Sequence, residues 1–154
     1  MTHDETSFVY VTYIRATPEK VFDAITNPKI AGLYWGHENV SDWQPGSRWD
    51  HIRADESRAV ELSGDVVEHL PPRRLVISWS SASRYDDKAQ HSRVTFDIEP
   101  YQDMVRLTVT HDDLEPGSGM DSGIRKGWPI VLSSLKSYLE TGAAIDVFAK
   151  PKAA

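Results

Sequence analysis

The sequence predicts an α+β fold in which a curved antiparallel sheet of about six or seven strands wraps around one long C-terminal helix. A helical period is sustained only near the C-terminus, over residues 127–142. Almost every earlier segment alternates apolar and polar residues with the period of a strand. Short turns join these segments in succession, which is typical of an antiparallel meander. We therefore expect the sheet to grip the helix and to leave a cavity between them.

The C-terminal helix is predicted from apolar residues that recur at spacings of three and four and so share one face. Gly142 follows the last of them, where a left-handed residue commonly ends a helix. Pro129 should either kink the helix or mark its true start, because proline lacks the N–H of the helical ladder. We also expect a Gly- and Asp-rich linker over residues 112–123. If the helix breaks at Pro129, residues 119–127 would form a flap over the cavity mouth. The apolar face of the predicted C-terminal helix comprises Trp128, Val131, Leu132, Leu135, Tyr138 and Leu139.

The N-terminal part predicts one strand and two short helices. Residues 8–15 alternate and are rich in Val, Tyr, Thr and Ile, as in a strand. Thr17 and Pro18 fit the N-cap and first position of a helix, since the missing proline N–H is not needed there. Asn27 and Pro28 start a second helix that should end near residue 33 or 34.

The middle of the chain predicts the strands of the meander. Residues 35–43 show no regular period, whereas 48–53 and 59–70 read as strands, and period-two runs follow over 75–79, 94–98 and 105–111. Turns are expected at 44–46, 55–57, 71–72 and 101–103. Gly64 lies inside a strand and predicts a bulge or bend, which a curved sheet requires.

Length and composition limit the classes of function. The 154 residues predict one domain over 1–154, with a core at about 7–148 and a tail at 149–154. Seventeen basic and 23 acidic residues give a net charge of −6, which argues against a nucleic-acid or anionic-membrane partner. The chain has no Cys, an acidic N-terminus and no apolar run of membrane-spanning length, so a cytoplasmic location is expected.

Aromatic residues on the inward phases of strands and helices are the main functional candidates. A concave pocket lined by aromatic side chains with few polar groups is typical of a small-molecule site. The alternative is that these side chains simply fill the core, and that the histidines lie at the rim of the sheet. As polar anchors or proton carriers, His51 and His111 belong to the candidate set. The predicted ligand-binding residues are Phe22, Tyr34, Trp35, Trp49, His51, Trp79, Phe96, His111, Trp128, Leu132 and Leu135.

Other chemistries find no motif in the sequence. Metal binding is disfavoured, because there is no Cys and no His pair at helical i, i+4 spacing. Ser118 lies in a Gly-Ser-Gly linker, without the strand and helix that flank a nucleophilic serine. No glycine-rich phosphate loop is present, so no cofactor is predicted.

An ordered set of short motifs spans nearly the whole chain. The set resembles the group of activator of heat-shock-protein-ninety ATPase homologues, within the START-like (SRPBCC, birch-pollen-allergen-like) superfamily. The resemblance implies a helix-grip fold, with a deep groove between sheet and helix that often binds hydrophobic small molecules. The motifs are residues 16–26, 45–49, 64–68, 71–79, 107–111 and 127–140.

Three functions remain open from the sequence. The preferred one is binding of a small hydrophobic or aromatic molecule, because no two proton carriers are seen to converge. The second is an enzyme related to polyketide cyclases, dehydratases or hydrolases, with a pocket His or Tyr as acid or base. The third, implied by the resemblance, is a co-regulator of a chaperone ATPase; it ranks last because a chain of this length lacks the additional N-terminal domain of eukaryotic activators. A homodimer is possible.

Overall fold

A computed structural model describes residues 6–145. Residues 146–154 lie outside the described part. They comprise the last three residues of the expected core at 7–148 and the whole of the expected tail at 149–154. Within it the elements run in the order β1 (Phe8–Ile14), α1 (Pro18–Thr26), α2 (Pro28–Trp35), β2 (His37–Val40), β3 (Arg48–Arg53), β4 (Val60–Leu70), β5 (Arg74–Ser81), β6 (Ser92–Tyr101), β7 (Met104–Asp112) and α3 (Gly119–Thr141). Two single-turn 3-10 helices, Ala82–Arg84 and Lys88–Gln90, lie between β5 and β6.

The seven strands form one antiparallel sheet in the order β1-β7-β6-β5-β4-β3-β2. The predicted meander is confirmed from β2 to β7, and β1 joins it beside the last strand, with Phe8 opposite His111 and Ile14 opposite Val105. The sequence prediction missed β2, because its residues His-Glu-Asn-Val include one apolar side chain and so show no alternation.

The two predicted helix starts are confirmed. Thr17 accepts a hydrogen bond from the Lys20 N–H and Pro18 occupies the first turn of α1. In α2, the Asn27 side chain accepts from the N–H groups of Lys29 and Ile30. Asparagine caps a helix well because its side-chain oxygen satisfies N–H groups that have no partner inside the helix. Both helices therefore begin where the capping residues place them.

The predicted linker and helix start were wrong, since α3 begins at Gly119 and not at residue 127. Ser118 caps it by accepting from the Asp121 N–H, and Arg125 pairs with Asp121 one turn later at 2.7 Å. Pro129 lies inside the helix. Residues 119–127 are thus the first turns of α3. The predicted end is confirmed, because Gly142 adopts a left-handed conformation and its N–H bonds to the Tyr138 carbonyl.

The core lies between the concave face of the sheet and the helices. Inward side chains of β7 are fully buried at Val105, Leu107, Val109 and His111. The register of the sheet shifts between His51 and Ile52 and between Val66 and Glu68. These two irregularities flank Gly64, near which the sequence predicted a bend, and bulges of this kind increase local twist.

A candidate ligand cavity between sheet and helix

A cavity of about 380 Å³ lies between the N-terminal half of α3 and the aromatic side chains of the core. Its wall combines tryptophan rings, aliphatic side chains and bare helix backbone, and no charged side chain takes part. The lining residues are Trp35, Leu62, Trp79, Gly119, Met120, Gly123, Ile124, Gly127, Trp128 and Val131.

Three glycines of α3 form one side of the cavity. Gly119, Gly123 and Gly127 are four residues apart, so they lie on one face of the helix. A Cβ atom added at any of them would meet no atom within 4 Å. Glycine inside a helix costs about 1 kcal/mol relative to alanine. This face therefore disfavours helix formation and leaves open space where side chains would otherwise stand.

Three tilted tryptophan rings, from α2, β5 and α3 itself, form another part of the cavity wall. The Trp128 ring lies 5.6 Å from that of Trp35 and 5.5 Å from that of Trp79, measured between centroids. Tilted contacts at these distances are favourable for aromatic pairs. The three rings are 3–8% exposed, so they present flat apolar surface to the cavity while staying fixed in the core.

His111 lies behind this wall and its two ring nitrogens are both engaged. The Trp128 indole N–H donates to His111 Nδ1 at 3.0 Å. An indole nitrogen can only donate, so Nδ1 must be the acceptor and the proton of the neutral ring lies on Nε2. The His111 Nε2–H then donates to Ser92 Oγ at 2.7 Å, and Ser92 donates to the Trp79 carbonyl at 3.3 Å.

Burial lowers the pKa of His111 to about 3, although the nearby Asp121 carboxylate opposes this shift. The ring is therefore neutral at physiological pH. Because Nε2 carries the proton, His111 cannot take one from Ser92 as a general base would. The Ser92–His111 pair thus positions Trp128 and connects β6, β7 and α3.

The indole nitrogen of Trp79 is a buried donor without a hydrogen-bond acceptor among residues 6–145. Trp79 is 5% exposed and contributes to the cavity wall. Buried polar groups are nearly always hydrogen-bonded, and an unsatisfied one costs about 1–3 kcal/mol. The nitrogen itself has almost no accessible surface, so the cavity meets the ring carbons of Trp79 and not its N–H.

His51 and Tyr34 are held by structural hydrogen bonds away from the cavity lining. The His51 Nδ1–H donates to Asn39 Oδ1 at 2.7 Å, and the Asn39 amide donates to the Ile25 carbonyl at 2.9 Å. Burial and the adjacent His37 ring lower the pKa of His51 well below its usual value. The Tyr34 hydroxyl donates to the Ala24 carbonyl at 2.9 Å, and burial raises its pKa.

The structure places three of the eleven predicted ligand-binding residues, Trp35, Trp79 and Trp128, on the cavity wall. Six others, Tyr34, Trp49, Phe96, His111, Leu132 and Leu135, are at most 2% exposed in the core behind it. His51 is also buried, and Phe22 lies against Pro71 and Pro72 at a different, shallow pocket. The ligand-binding assignments stay predictions.

Sequence reasoning missed the glycine face, together with Leu62, Met120, Ile124 and Val131. The glycines were assigned to a linker and a flap, because residues 119–127 contain three glycines and only two large apolar side chains, Met120 and Ile124. Their four-residue spacing after the capping Ser118 was the signal that could have placed them on one helix face.

A polar groove of about 650 Å³ adjoins the cavity and shares Gly119 and Met120 with it. Serines from β5, β6 and the loop between them line it, including Ser80 and Ser92. The cavity therefore opens beside a hydrogen-bonding surface. Within the described part of the chain, no group of three or more metal-ligating side chains occurs, and no helix is both long and apolar enough to span a membrane.

A protein-family model described as Activator of Hsp90 ATPase homolog 1-like protein matches residues 15–140. The chain belongs to this family. The match runs from the start of α1 to all but the last residue of α3, so the resemblance to this family that the motifs suggested is confirmed. No curated protein sequence matches the chain.

Solved structures confirm the helix-grip fold for this family member. The Aha1 dimer from Colwellia psychrerythraea is 18% identical, with a TM-score of 0.72 over 88% of this chain and 97% of that one. An HSP90 activator from Plasmodium falciparum is 21% identical, with a TM-score of 0.70 over 87% and 96%. CalU16 from Micromonospora echinospora is 22% identical, with a TM-score of 0.68 over 88% and 77%. At these identities the likeness extends to the fold alone.

Proposed function

We propose that the protein binds a small, mainly apolar or aromatic molecule in the cavity between the sheet and α3. The observation that carries this proposal is the glycine face of α3 beside the three tryptophan rings, where about 380 Å³ is left unfilled. Apolar clefts with few polar groups are the usual form of small-molecule sites.

The size of the cavity sets the scale of the interaction. A guest that buries about 200 Å² of apolar surface gains about 5 kcal/mol, at about 25 cal/mol for each Å². Loss of translational and rotational freedom offsets part of this gain. Binding should therefore be strongest for flat, rigid molecules that lie against the Trp35, Trp79 and Trp128 rings and lose little conformational entropy.

Replacing Gly123 with Leu should weaken binding at least tenfold without destabilising the fold. The new side chain projects into the cavity, and leucine favours a helix over glycine by almost 1 kcal/mol. Fluorescence titration with N-phenyl-1-naphthylamine measures binding, and thermal unfolding followed by circular dichroism measures stability.

Ser122→Leu is the matched control, because Ser122 is an exposed neighbour on α3 that does not line the cavity. It adds the same apolar side chain to the same turn and should leave binding within twofold of the unaltered protein. Equal affinity of the Gly123→Leu and Ser122→Leu variants would contradict the cavity as the binding site.

The enzyme alternative finds less support in the site. His111 carries its proton on the nitrogen that faces Ser92, and the Tyr34 hydroxyl is bound to a carbonyl with its pKa raised. His51 does not line the cavity. A general base must reach the proton it removes, and these three side chains do not offer a free base to a molecule in the cavity. The chaperone co-regulator alternative rests on the family description and on the fold likeness to an HSP90 activator.

We further propose a homodimer formed through the outer face of β1. Val9 is 56% exposed, Val11 and Tyr13 are each 38% exposed, and Tyr101 of β6 packs against Tyr13 at 5.1 Å. A second copy would cover these apolar side chains, and a symmetric pairing places the same patch on both sides. The likeness to the Colwellia psychrerythraea Aha1 dimer supports a dimeric state, and the face is proposed from the exposed side chains of β1 alone.

Light scattering after gel filtration should give twice the chain mass of 17.4 kDa at micromolar concentration. Val11→Glu should shift the protein to the monomer, because burying an unpaired carboxylate is unfavourable. Lys126→Ala, at an exposed position of α3, is the control and should leave the mass unchanged. A monomeric unaltered protein would contradict the dimer.

A further inference from the structure

We infer that the ligand is amphipathic, with its apolar or aromatic body in the cavity and an uncharged polyhydroxylated head, such as a sugar, in the adjoining polar groove. This inference rests on the proposed function, and it names the chemical class of molecule that the site selects. A glycoside of a flat aromatic compound fits both spaces, whereas the aromatic compound without the sugar uses only the cavity.

The cavity and the polar groove meet at the first turn of α3. Gly119 and Met120 line both of them. The cavity has about 380 Å³ and is lined mainly by apolar side chains and helix backbone, whereas the groove has about 650 Å³ and is lined mainly by polar side chains. A single molecule that occupies both spaces must therefore change from apolar to polar along its length.

The polar groove offers hydrogen-bonding groups that other residues do not use. A guanidinium group only donates, carboxylates only accept, and hydroxyl and amide groups do both. A ligand that satisfies this mixed set needs donors and acceptors of its own, which a row of hydroxyl groups supplies. The exposed lining side chains without a hydrogen-bond or ion-pair partner within residues 6–145 are Ser83, Arg84, Gln90, Asp113 and Glu115.

The charges of the groove disfavour an ionised head group. Among the described residues that line it, Arg84 is the one cation, whereas Asp113 and Glu115 are carboxylates. An anionic head would therefore meet more negative than positive charge, and an ammonium group, which has no acceptor, could not use the donors of Arg84. Hydroxyl groups can bond to all three charged side chains, and they lose less hydration than an ion does.

The loop over residues 82–91, which supplies part of the groove lining, is fastened to β4 and β5 by side chains that do not line the groove. The Tyr85 hydroxyl donates to Asp65 Oδ1 at 2.5 Å. His91 bonds to Ser78 Oγ through Nδ1 and to the Tyr85 carbonyl through Nε2, both at 2.8 Å. The groove wall is therefore held in place before a ligand binds, which reduces the entropy lost on binding.

The compounds 2-naphthyl β-D-glucopyranoside and 2-methoxynaphthalene test this inference, because both are naphthyl ethers and only the first has sugar hydroxyl groups. Their dissociation constants are measured for the unaltered protein and for the double variant Arg84→Ala/Gln90→Ala. The preference for the glucoside, expressed as the ratio of the two constants, should fall about tenfold in the double variant, because hydrogen bonds to the sugar are lost. Comparing ratios cancels the difference in solubility between the compounds.

Arg93→Ala is the matched control for the loss of a positive charge. Arg93 is exposed on β6 and lines neither the groove nor the cavity, so its replacement should leave the ratio unchanged. An unchanged ratio in the double variant would overturn the inference about the head group and leave the cavity as a binding site. Tighter binding of 2-naphthyl sulfate than of the glucoside would likewise overturn the uncharged head.

The proposed function fails separately from this inference. If the unaltered protein binds neither naphthyl ether and does not bind N-phenyl-1-naphthylamine, the cavity is not a binding site and the inference falls with it. If it binds 2-methoxynaphthalene and not the glucoside, only the polyhydroxylated head is contradicted.

A second measurement does not depend on the folding of a variant. In ¹H–¹⁵N spectra of the unaltered protein, the side-chain amide signals of Gln90 should move with the glucoside and not with 2-methoxynaphthalene. The backbone amide signal of Gly123, which lines the cavity, should move with both compounds. Equal shifts of the Gln90 signals with the two compounds would overturn the inference.

Discussion

Replacing Gly64 with Ala is expected to lower the free energy of unfolding by more than about 4 kcal/mol, or to prevent folding. A Cβ atom at this position would overlap the Ser78 carbonyl oxygen and stand 2.6 Å from the Trp49 indole nitrogen. These two atoms are already joined by the hydrogen bond from Trp49 to Ser78. The smallest side chain would therefore displace both ends of one buried interaction.

The surrounding ladder leaves little room for relaxation. Ser63 pairs with Ser80 on one side of Gly64 and Val66 with Ile77 on the other, so β4 cannot move away from β5 without loss of pairing. Trp49 lies opposite Gly64 on β3 and is 1% exposed. Because interiors are packed to crystal-like density, the overlap would be transmitted to the core.

Urea denaturation followed by circular dichroism measures this effect. Gly127→Ala is the control, since that position is helical and a Cβ there meets no atom within 4 Å. It should be as stable as the unaltered protein or more stable by up to about 1 kcal/mol. If Gly64→Ala lowers the free energy of unfolding by less than about 1 kcal/mol, the sheet can accommodate a side chain at position 64, and the prediction is contradicted.

Local physical rules explain how much of the fold could be predicted from the sequence. The starts of α1 and α2 follow from Thr17-Pro18 and Asn27-Pro28, because capping is settled within one turn of the chain. The inward phase of β7 follows from Leu107 and Val109, because one face of the strand is buried. Such features depend on neighbours in sequence.

The site could be predicted only in part because it depends on contacts between distant segments. Trp35, Trp79 and Trp128 were identified as aromatic residues on inward faces, but the same argument selected Trp49 and Phe96, which fill the core. What separates the two groups is which residues surround them. Gly119, Gly123 and Gly127 line the cavity together with the first group, and the sequence pattern does not show which aromatic residues lie beside these glycines.

Acidification from pH 7 to pH 5 is expected to lower the free energy of unfolding by about 2 kcal/mol through His111 alone. Burial lowers its pKa from about 6.5 to about 3, so between these values the unfolded chain binds a proton that the folded chain does not. Protonation therefore favours the unfolded state throughout this window. The stability contributed by the neutral ring is complete above pH 6.5 and is lost as the pH falls toward 3.

His51 acts in the same direction, since burial and His37 lower its pKa. His111→Gln separates the two contributions, because a glutamine amide can accept from Trp128 and donate to Ser92 but does not titrate. Urea denaturation at several pH values should show a smaller loss between pH 7 and pH 5 for His111→Gln, by about 2 kcal/mol, than for the unaltered protein. Parallel curves for the two proteins would contradict a depressed pKa at His111. They would also remove the argument that His111 stays neutral behind the cavity wall, because an imidazolium could not accept the Trp128 N–H.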